Sequence, residues 1–261
     1  METLLVERCE GVVTVTLNRP AKKNAISDAM YRELETVIGE VAARPVDRVL
    51  VLTGAGDGFC SGHDLSDTLN QEWMTGLGAG LANMRRLGGV AMALHELPKP
   101  TIAAVNGIAA GAGCNLAFGC DLIVASESAR FSQIFVKRGL TVDFGGTWLL
   151  PRLVGLHKAK ELAFLGDIIS AVDAKEMGIV NRVVPADELA AHAASLGARL
   201  AQGPPLALST IKKAMNDSLS LSFAEAVEHE ALAQTMMFAS EDGAEALEAF
   251  KERRDPVFRG Y

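Results

Sequence analysis

An α/β fold is expected for this chain of 261 residues, on three observations. Continuous apolar runs at residues 49–52, 101–105, 122–125 and 179–184 have the character of strands buried on both faces. Two of these runs pass directly into glycine-rich loops, and helical patterns alternate with them, as in layered α/β architectures. After Pro185 the signal becomes wholly helical.

Taken in order, residues 4–7 and 12–17 are β-type runs separated by Cys9, Glu10 and Gly11, which predicts an opening hairpin. Ser27 then caps a helix whose Met30, Leu34, Val37, Ile38 and Val41 recur at the spacing of one buried face. The run at 49–52 ends in TGAGDGFCSGHDL, and the run at 101–105 in NGIAAGAGCNLAFGCD, which leads into a helix over 113–118. Residue His95 is expected to end a helix, and residues 147–153 to form a short one. Helices follow at 187–202, 206–217, 223–238 and 244–254, with Leu208, Ile211 and Met215 marking an apolar face. Residues 66–89 carry no such regularity and are expected to be mobile.

The formal charge of −7 argues against general nucleic-acid binding, which needs an excess of Lys and Arg. Four scattered cysteines, Cys9, Cys60, Cys114 and Cys120, without a CxxC pair suggest a reducing compartment. Acids within the first ten residues speak against a signal peptide, and no apolar stretch reaches the length of a membrane span. A cytoplasmic protein is expected, with neither membrane nor nucleic acid as partner.

Several catalytic sets are excluded by pattern. Gly111 and Gly113 begin a GxGxxG, but Leu116 stands where its third glycine belongs, and no Walker lysine is present. There is no HExxH and no GxSxG, so neither a metal site nor a nucleophile elbow is expected. Two readings of the glycine loops stay open. They permit tight packing, or they bring backbone NH groups to a ligand and form an oxyanion hole. Asp143 poses a similar choice, since it is a lone acid among Leu140, Val142, Phe144, Trp148 and Leu149. As an N-cap before Gly145 and Gly146 it would be structural; as a base it would be catalytic.

The tracts FCSGHDL, AAVNGIAAGAGCNLAFGCDLIVA and ARFSQIFVKRGLTVDFGGTWLLPRLVG resemble, in order and spacing, the enoyl-CoA hydratase/isomerase superfamily, also called the crotonase family. The similarity runs from RPAKKNAIS to AFKERRDPVF. It implies a crotonase-like spiral of ββα units over residues 1–195, a helical trimerisation region over 196–261, and a homotrimer or a hexamer made as a dimer of trimers. It also implies an acyl-CoA thioester as substrate, with coenzyme A entering as part of it and no further cofactor required.

The resemblance places the two oxyanion-hole amides at His63 and Ala112. The two glutamates of the hydratases are replaced by Asn115 and Phe135, which cannot serve as general bases. The segment GLTVDFGGTW is instead similar to isomerase members with one aspartate in a PDxGGTW-like motif, among them the ring-epoxide isomerases, and this makes Asp143 the acid/base. Asn115 would hydrogen-bond Asp143 or the substrate, or else face solvent. Phe135, Phe144 and Trp148 would surround Asp143 and raise its pKa. Coenzyme A contacts are implied at Lys23, Ala25, Phe59, Ser61, Gly62, Asp64, Leu65 and Gly111, with Arg19 and Lys22 adding charge, and Phe250 and Arg253 reaching a neighbouring subunit's ligand. An enoyl-CoA isomerase is favoured. Hydration, hydrolysis or dehalogenation through Asp143, and a CoA-binding assembly protein without turnover, are the alternatives.

Overall fold

The computed structural model describes residues 1–68 and 76–261. Strands β1 (Leu4–Cys9) and β2 (Val12–Leu17) form the expected antiparallel hairpin, with Leu4 opposite Leu17. Its two-residue turn places both Glu10 and Gly11 at positive φ, the turn whose twist suits a hairpin. β2 then pairs in parallel with β3 (Val49–Gly54), followed by β5 (Thr101–Val105), β7 (Leu122–Ser126) and β10 (Arg182–Val184), completing a six-stranded sheet in the order β1-β2-β3-β5-β7-β10. The expected strand at 179–184 is thus shorter, with Ile179 and Val180 packed in the core as loop.

A second sheet comprises short strands β4 (Gly58–Cys60), β6 (Ile108–Ala110), β8 (Arg130–Ser132) and β9 (Ile168–Ser170). Each long strand hands the chain to a short one and then to a helix. β3 and β4 precede α2 (Leu65–Thr68) and α3 (Leu77–His95), β5 and β6 precede α4 (Ala112–Phe118), and β7 and β8 precede α5 (Gly146–Val154). Parallel pairing between successive turns makes the crotonase-like spiral of ββα units.

Alternation along the long strands divides the core. Leu50, Leu52, Ala103, Val105, Ile123 and Ala125 face a cluster that includes Met30, Leu34 and Ile38 of α1 (Asp28–Ala43). Val49, Val51, Ile102, Ala104 and Val124 face the other way, onto Leu189, Ala193 and Ala201 of α8 (Leu189–Ala201). Ser27 caps α1 as expected, its Oγ accepting from the Met30 amide at 3.2 Å.

Between these elements lie α6 (Leu156–Leu165) and α7 (Ala171–Glu176), and after them the tail helices α9 (Pro205–Ser218), α10 (Phe223–Ala239) and α11 (Glu241–Glu252). The boundary expected after residue 195 falls inside α8 and is corrected. Gly197 packs so closely on the sheet that a β-carbon there would lie 3.2 Å from Val12, so α8 belongs to the core and the tail begins at α9. Lys212 of α9 ties tail to core, with Nζ 2.9 Å from the Asp121 carboxylate and 3.2 Å from the Lys99 carbonyl.

The segment expected to be mobile is mostly α3, a helix of 19 residues, while its portion at 69–75 lies outside the described residues. Gly78, Gly80, Gly88 and Gly89 lower its helix propensity, and only Leu87, Val90 and Leu94 of its length are buried. Packing against α1 supplies what propensity does not. Among the described residues no helix is long and apolar enough to cross a membrane.

Candidate active site

Strands β4 and β6 are parallel neighbours, with Cys60 opposite Ala109, so the loop after each emerges beside the other. Gly62 has φ +99°, and a β-carbon on it would lie 2.8 Å from the Ala110 carbonyl oxygen and 3.5 Å from the Ala112 nitrogen. Gly111 adopts φ 54° and ψ −127°, a conformation open to glycine. A β-carbon on Gly113 would fall 2.3 Å from the Cys60 carbonyl oxygen. These glycines therefore serve packing, and the same packing brings the His63 and Ala112 main chains together. The two readings left open by the sequence are compatible.

His63 is further oriented by a parallel bridge to Ile26. The Ile26 amide donates to the Gly62 carbonyl at 2.8 Å, and the Asp64 amide donates to the Ile26 carbonyl at 3.0 Å. That pattern directs the peptide NH of His63 to the side opposite Ile26. Arg19 supports the loop from behind, donating to Asp64 Oδ2 at 2.8 Å and to the Ala25 carbonyl at 2.6 Å. Burial pushes the Asp64 carboxyl up, but hydrogen bonds from Ser66 and Arg19 outweigh it and hold the group below its ordinary range.

Asp143 lies on the loop before α5. Its main-chain carbonyl accepts from the Gly146 amide at 2.9 Å and from Asn115 Nδ2 at 2.8 Å. The helix cap is Gly145, at φ +79°, and no side chain caps α5, so the N-cap reading of Asp143 is overturned. Phe144, at φ +51°, and Gly145 form a left-handed pair that turns the chain away after the acid. For a bulky side chain such a φ costs on the order of 1 kcal/mol, so the turn must be held by its surroundings. The Asp143 Oδ1 atom is buried without a hydrogen-bond partner. Desolvation alone lifts its pKa to about 6.

Asn115 does not face solvent. It is 0% exposed, its amide oxygen accepts from Gln133 Nε2 at 2.8 Å, and its amide nitrogen holds the Asp143 carbonyl. A β-carbon on Gly146 would lie 2.3 Å from Asn115 Nδ2, so Gly146 is small because Asn115 occupies that space. Phe135 is buried, with its ring against Gly111. Trp148 instead turns to His95, at 5.1 Å between ring centroids, and lies 3.9 Å beneath the Arg152 guanidinium. It lines a mainly apolar cavity of about 570 Å³ between α3 and α5, with Met92 and Leu149.

Sequence reasoning missed Tyr31. It is 2% exposed on α1, with its ring 5.7 Å from that of His63 and 6.1 Å from that of Phe144. A polar-tipped aromatic beside Met30 on a helix's buried face is the available signal. Burial first, and then the charge of Asp143, push the phenol well above its ordinary range, so it is a neutral donor.

The remaining expected positions divide. Lys23 is exposed and pairs with Asp57 at 2.5 Å, while its carbonyl accepts from the Ser61 amide at 2.9 Å, so the basic turn at 19–23 is stitched to the glycine loop. Ala25 is buried beneath this junction and Leu65 is exposed at its rim. The Phe59 side chain is wholly enclosed in the core, so a side-chain contact with a ligand is excluded there. Asp64 is taken up by Arg19 and Ser66. Phe250 is exposed on α11 and Arg253 ends that helix, which packs on α10.

The model of the family described as enoyl-CoA hydratase/isomerase matches residues 7–261. The 1,2-epoxyphenylacetyl-CoA isomerase of Escherichia coli K12 is 40% identical over 260 residues, covering 100% of this chain and 99% of its own. The short-chain-enoyl-CoA hydratase of Clostridium acetobutylicum is 36% identical, covering 97% and 96%. The crystal structure of an enoyl-CoA hydratase from Bacillus anthracis superposes with a TM-score of 0.94 at 32% identity, covering 99% of this chain and 100% of that one.

Proposed function

The chain belongs to the enoyl-CoA hydratase/isomerase family and is an acyl-CoA-transforming enzyme, and from that premise we propose that it is an enoyl-CoA isomerase with Asp143 as its single acid and base. The observation that carries this reading is the Asp143 carboxylate itself, with one buried oxygen unpartnered and a pKa of about 6. A base serves best when its pKa lies near the working pH. Asn115 and Phe135 stand where the family resemblance puts the hydratase glutamates, so no second carboxylate is available at those positions to activate water.

The amides of His63 and Ala112 would donate to the thioester oxygen, stabilising an enolate; one such donor is typically worth roughly 10²- to 10³-fold in rate. Asp143 takes a proton from C2 of a 3-enoyl-CoA, the electron pair passes through the dienolate, and the protonated Asp143 returns the proton at C4. The double bond moves from C3 to C2, with no net change in atoms. Lys22 and Lys23, beside the exposed Leu65, would meet the coenzyme's phosphates. Asn115 acts as a positioning residue through the Asp143 main chain.

The reading includes assembly into a homotrimer or a dimer of trimers. It is supported by α10, which buries no residue yet displays Phe223, Val227, Leu232, Met236 and Phe238. Phe250 and Arg253 would then reach a neighbour's ligand.

Incubation with trans-3-hexenoyl-CoA tests the reaction. An isomerase generates conjugated-thioester absorbance with no change in product mass. Gain of one water in the mass spectrum marks a hydratase, and free coenzyme A a hydrolase; either as the main product overturns the proposal.

A further inference from the structure

The bond from Asn115 to the Asp143 carbonyl depends on which way round the asparagine amide sits. A main-chain carbonyl can only accept, so Nδ2 must face Asp143 and Oδ1 must face away. Nothing in the asparagine enforces this, because turning the amide over exchanges oxygen and nitrogen at nearly equal shape. The group that meets Oδ1 is Gln133, whose Nε2 donates to it at 2.8 Å. If Gln133 presented its oxygen instead, two acceptors would meet, and Asn115 would turn over and set its own oxygen against the Asp143 carbonyl. Gln133 keeps the useful orientation with one end unsatisfied: its Oε1 is buried without a hydrogen-bond partner, and the residue is 3% exposed. Buried amide groups are ordinarily paired at both ends, so the arrangement answers to Asp143 rather than to the glutamine.

The place of Gln133 in the chain links the base to the glycine loops. It directly follows β8, which pairs in parallel with β6 through Ala110 opposite Ser132, and the Gly111 amide donates to the Ser132 carbonyl at 2.9 Å. The strand pair that delivers Ala112 therefore delivers Gln133 as well, and the two side-chain amides carry that register across to Asp143. We propose that Gln133 is a positioning residue for the reaction: by donating to Asn115 Oδ1 it selects the amide orientation that holds the Asp143 main chain, and so references the base to the strand that carries the Ala112 amide. The inference rests on the reading of Asp143 as the base and adds the group that fixes its direction.

Gln133→Met keeps the volume and removes the donor. With trans-3-hexenoyl-CoA, kcat is expected to fall about tenfold or more while KM stays within about twofold, the pattern of a displaced base rather than of weakened binding. Gln133→Glu supplies the rescue. The titratable neighbours among the described residues are Cys114, whose thiol burial pushes up to about 12, and Asp167, which pairs with Lys137, and neither stabilises an ionised carboxylate. A glutamic acid buried there stays protonated at about pH 6, and its hydroxyl can donate to Asn115 Oδ1 as the amide did. At that pH Gln133→Glu should recover kcat to within about threefold of the wild type, and Gln133→Met should not. Wild-type kcat in Gln133→Met overturns the inference, as does a Gln133→Glu no more active than Gln133→Met under these conditions. The crystal structure of Gln133→Met gives a readout free of activity: the bond from Asn115 to the Asp143 carbonyl is expected to open beyond hydrogen-bond distance, and its survival at the wild-type length would refute the role. Asp143→Asn is assayed beside these variants. Activity retained there refutes the base, whereas activity lost there but kept in Gln133→Met refutes Gln133 alone.

Discussion

Asn115 holds Asp143 by its main chain, with Nδ2 donating to the Asp143 carbonyl oxygen at 2.8 Å while the amide oxygen accepts from Gln133 at 2.8 Å. The bond leaves the Asp143 carboxylate untouched and fixes where it points. Asn115→Ala would leave the Gln133 amide without its acceptor and loosen the 143–146 turn. We expect a stability loss of about 2–3 kcal/mol, from unpaired buried groups and a small cavity. We also expect a fall of about 10- to 100-fold in kcat, because a base displaced by an ångström loses its geometry. Urea denaturation and steady-state kinetics on trans-3-hexenoyl-CoA check the two, and the pH midpoint of kcat should stay where it is in the wild type.

Much of this arrangement was legible in the sequence. The long strands announced themselves because both faces are buried, which makes runs such as that at 101–105 continuous, and the glycine loops announced themselves by composition. The short strands β4, β6, β8 and β9 did not, since three residues are too few to show a period. Helix α3 was hidden by its glycines. Asp143 stood out as an acid among apolar residues, but its orientation depends on two left-handed residues and on Asn115, 28 positions away, which no local pattern reveals. Tyr31 was concealed for the opposite reason, because a tyrosine on the buried face of a helix reads as core.

Asp143→Asn should separate activity from stability. Its pKa is raised, so the folded protein binds the proton more tightly than the unfolded chain does, and stability falls as pH rises from the ordinary value of 3.8 towards about 6. Above that window the ionised carboxylate destabilises the fold by about 1–2 kcal/mol, once its partial exposure is allowed for. The amide removes the cost. At pH 7.5 the variant should be more stable than the wild type by that amount, the difference vanishing below pH of about 4, while isomerisation drops by at least about 10³-fold. Retained activity would rule Asp143 out as the base.

The pH dependence of the wild type follows from the same group. A base must be ionised to take the C2 proton, so kcat/KM should be half-maximal near pH 6 and fall about tenfold for each further unit of acidification. A profile flat down to pH 5 would mean that another group moves the proton.

Gly62→Ala tests the loop geometry. The new methyl group would sit 2.8 Å from the Ala110 carbonyl oxygen, at a φ of +99° that alanine does not tolerate. The His63 and Ala112 main chains must then separate. Activity is expected to fall by about 10²-fold or more, the loss of one oxyanion donor, with a stability loss of about 2 kcal/mol or more from backbone strain. Thermal melting and kcat measured on the same preparation report both.

The last prediction concerns assembly. A helix that is apolar on several sides is stable in water only when another surface covers it. On α10, Phe223 is 86% exposed and Leu232 and Met236 are also open, while the neighbouring α9 buries none of its residues. Exposed apolar surface on this scale is rare on monomers and marks an interface. The wild type should therefore run as a trimer or hexamer in light scattering at micromolar concentration. Leu232→Glu would place a charge in the covered face and should shift the mass towards the monomer. If Phe250 and Arg253 reach a neighbour's ligand, KM should rise in parallel with dissociation while the Asp143-controlled pH midpoint stays fixed. A wild type that is monomeric at these concentrations would remove the role assigned to both residues.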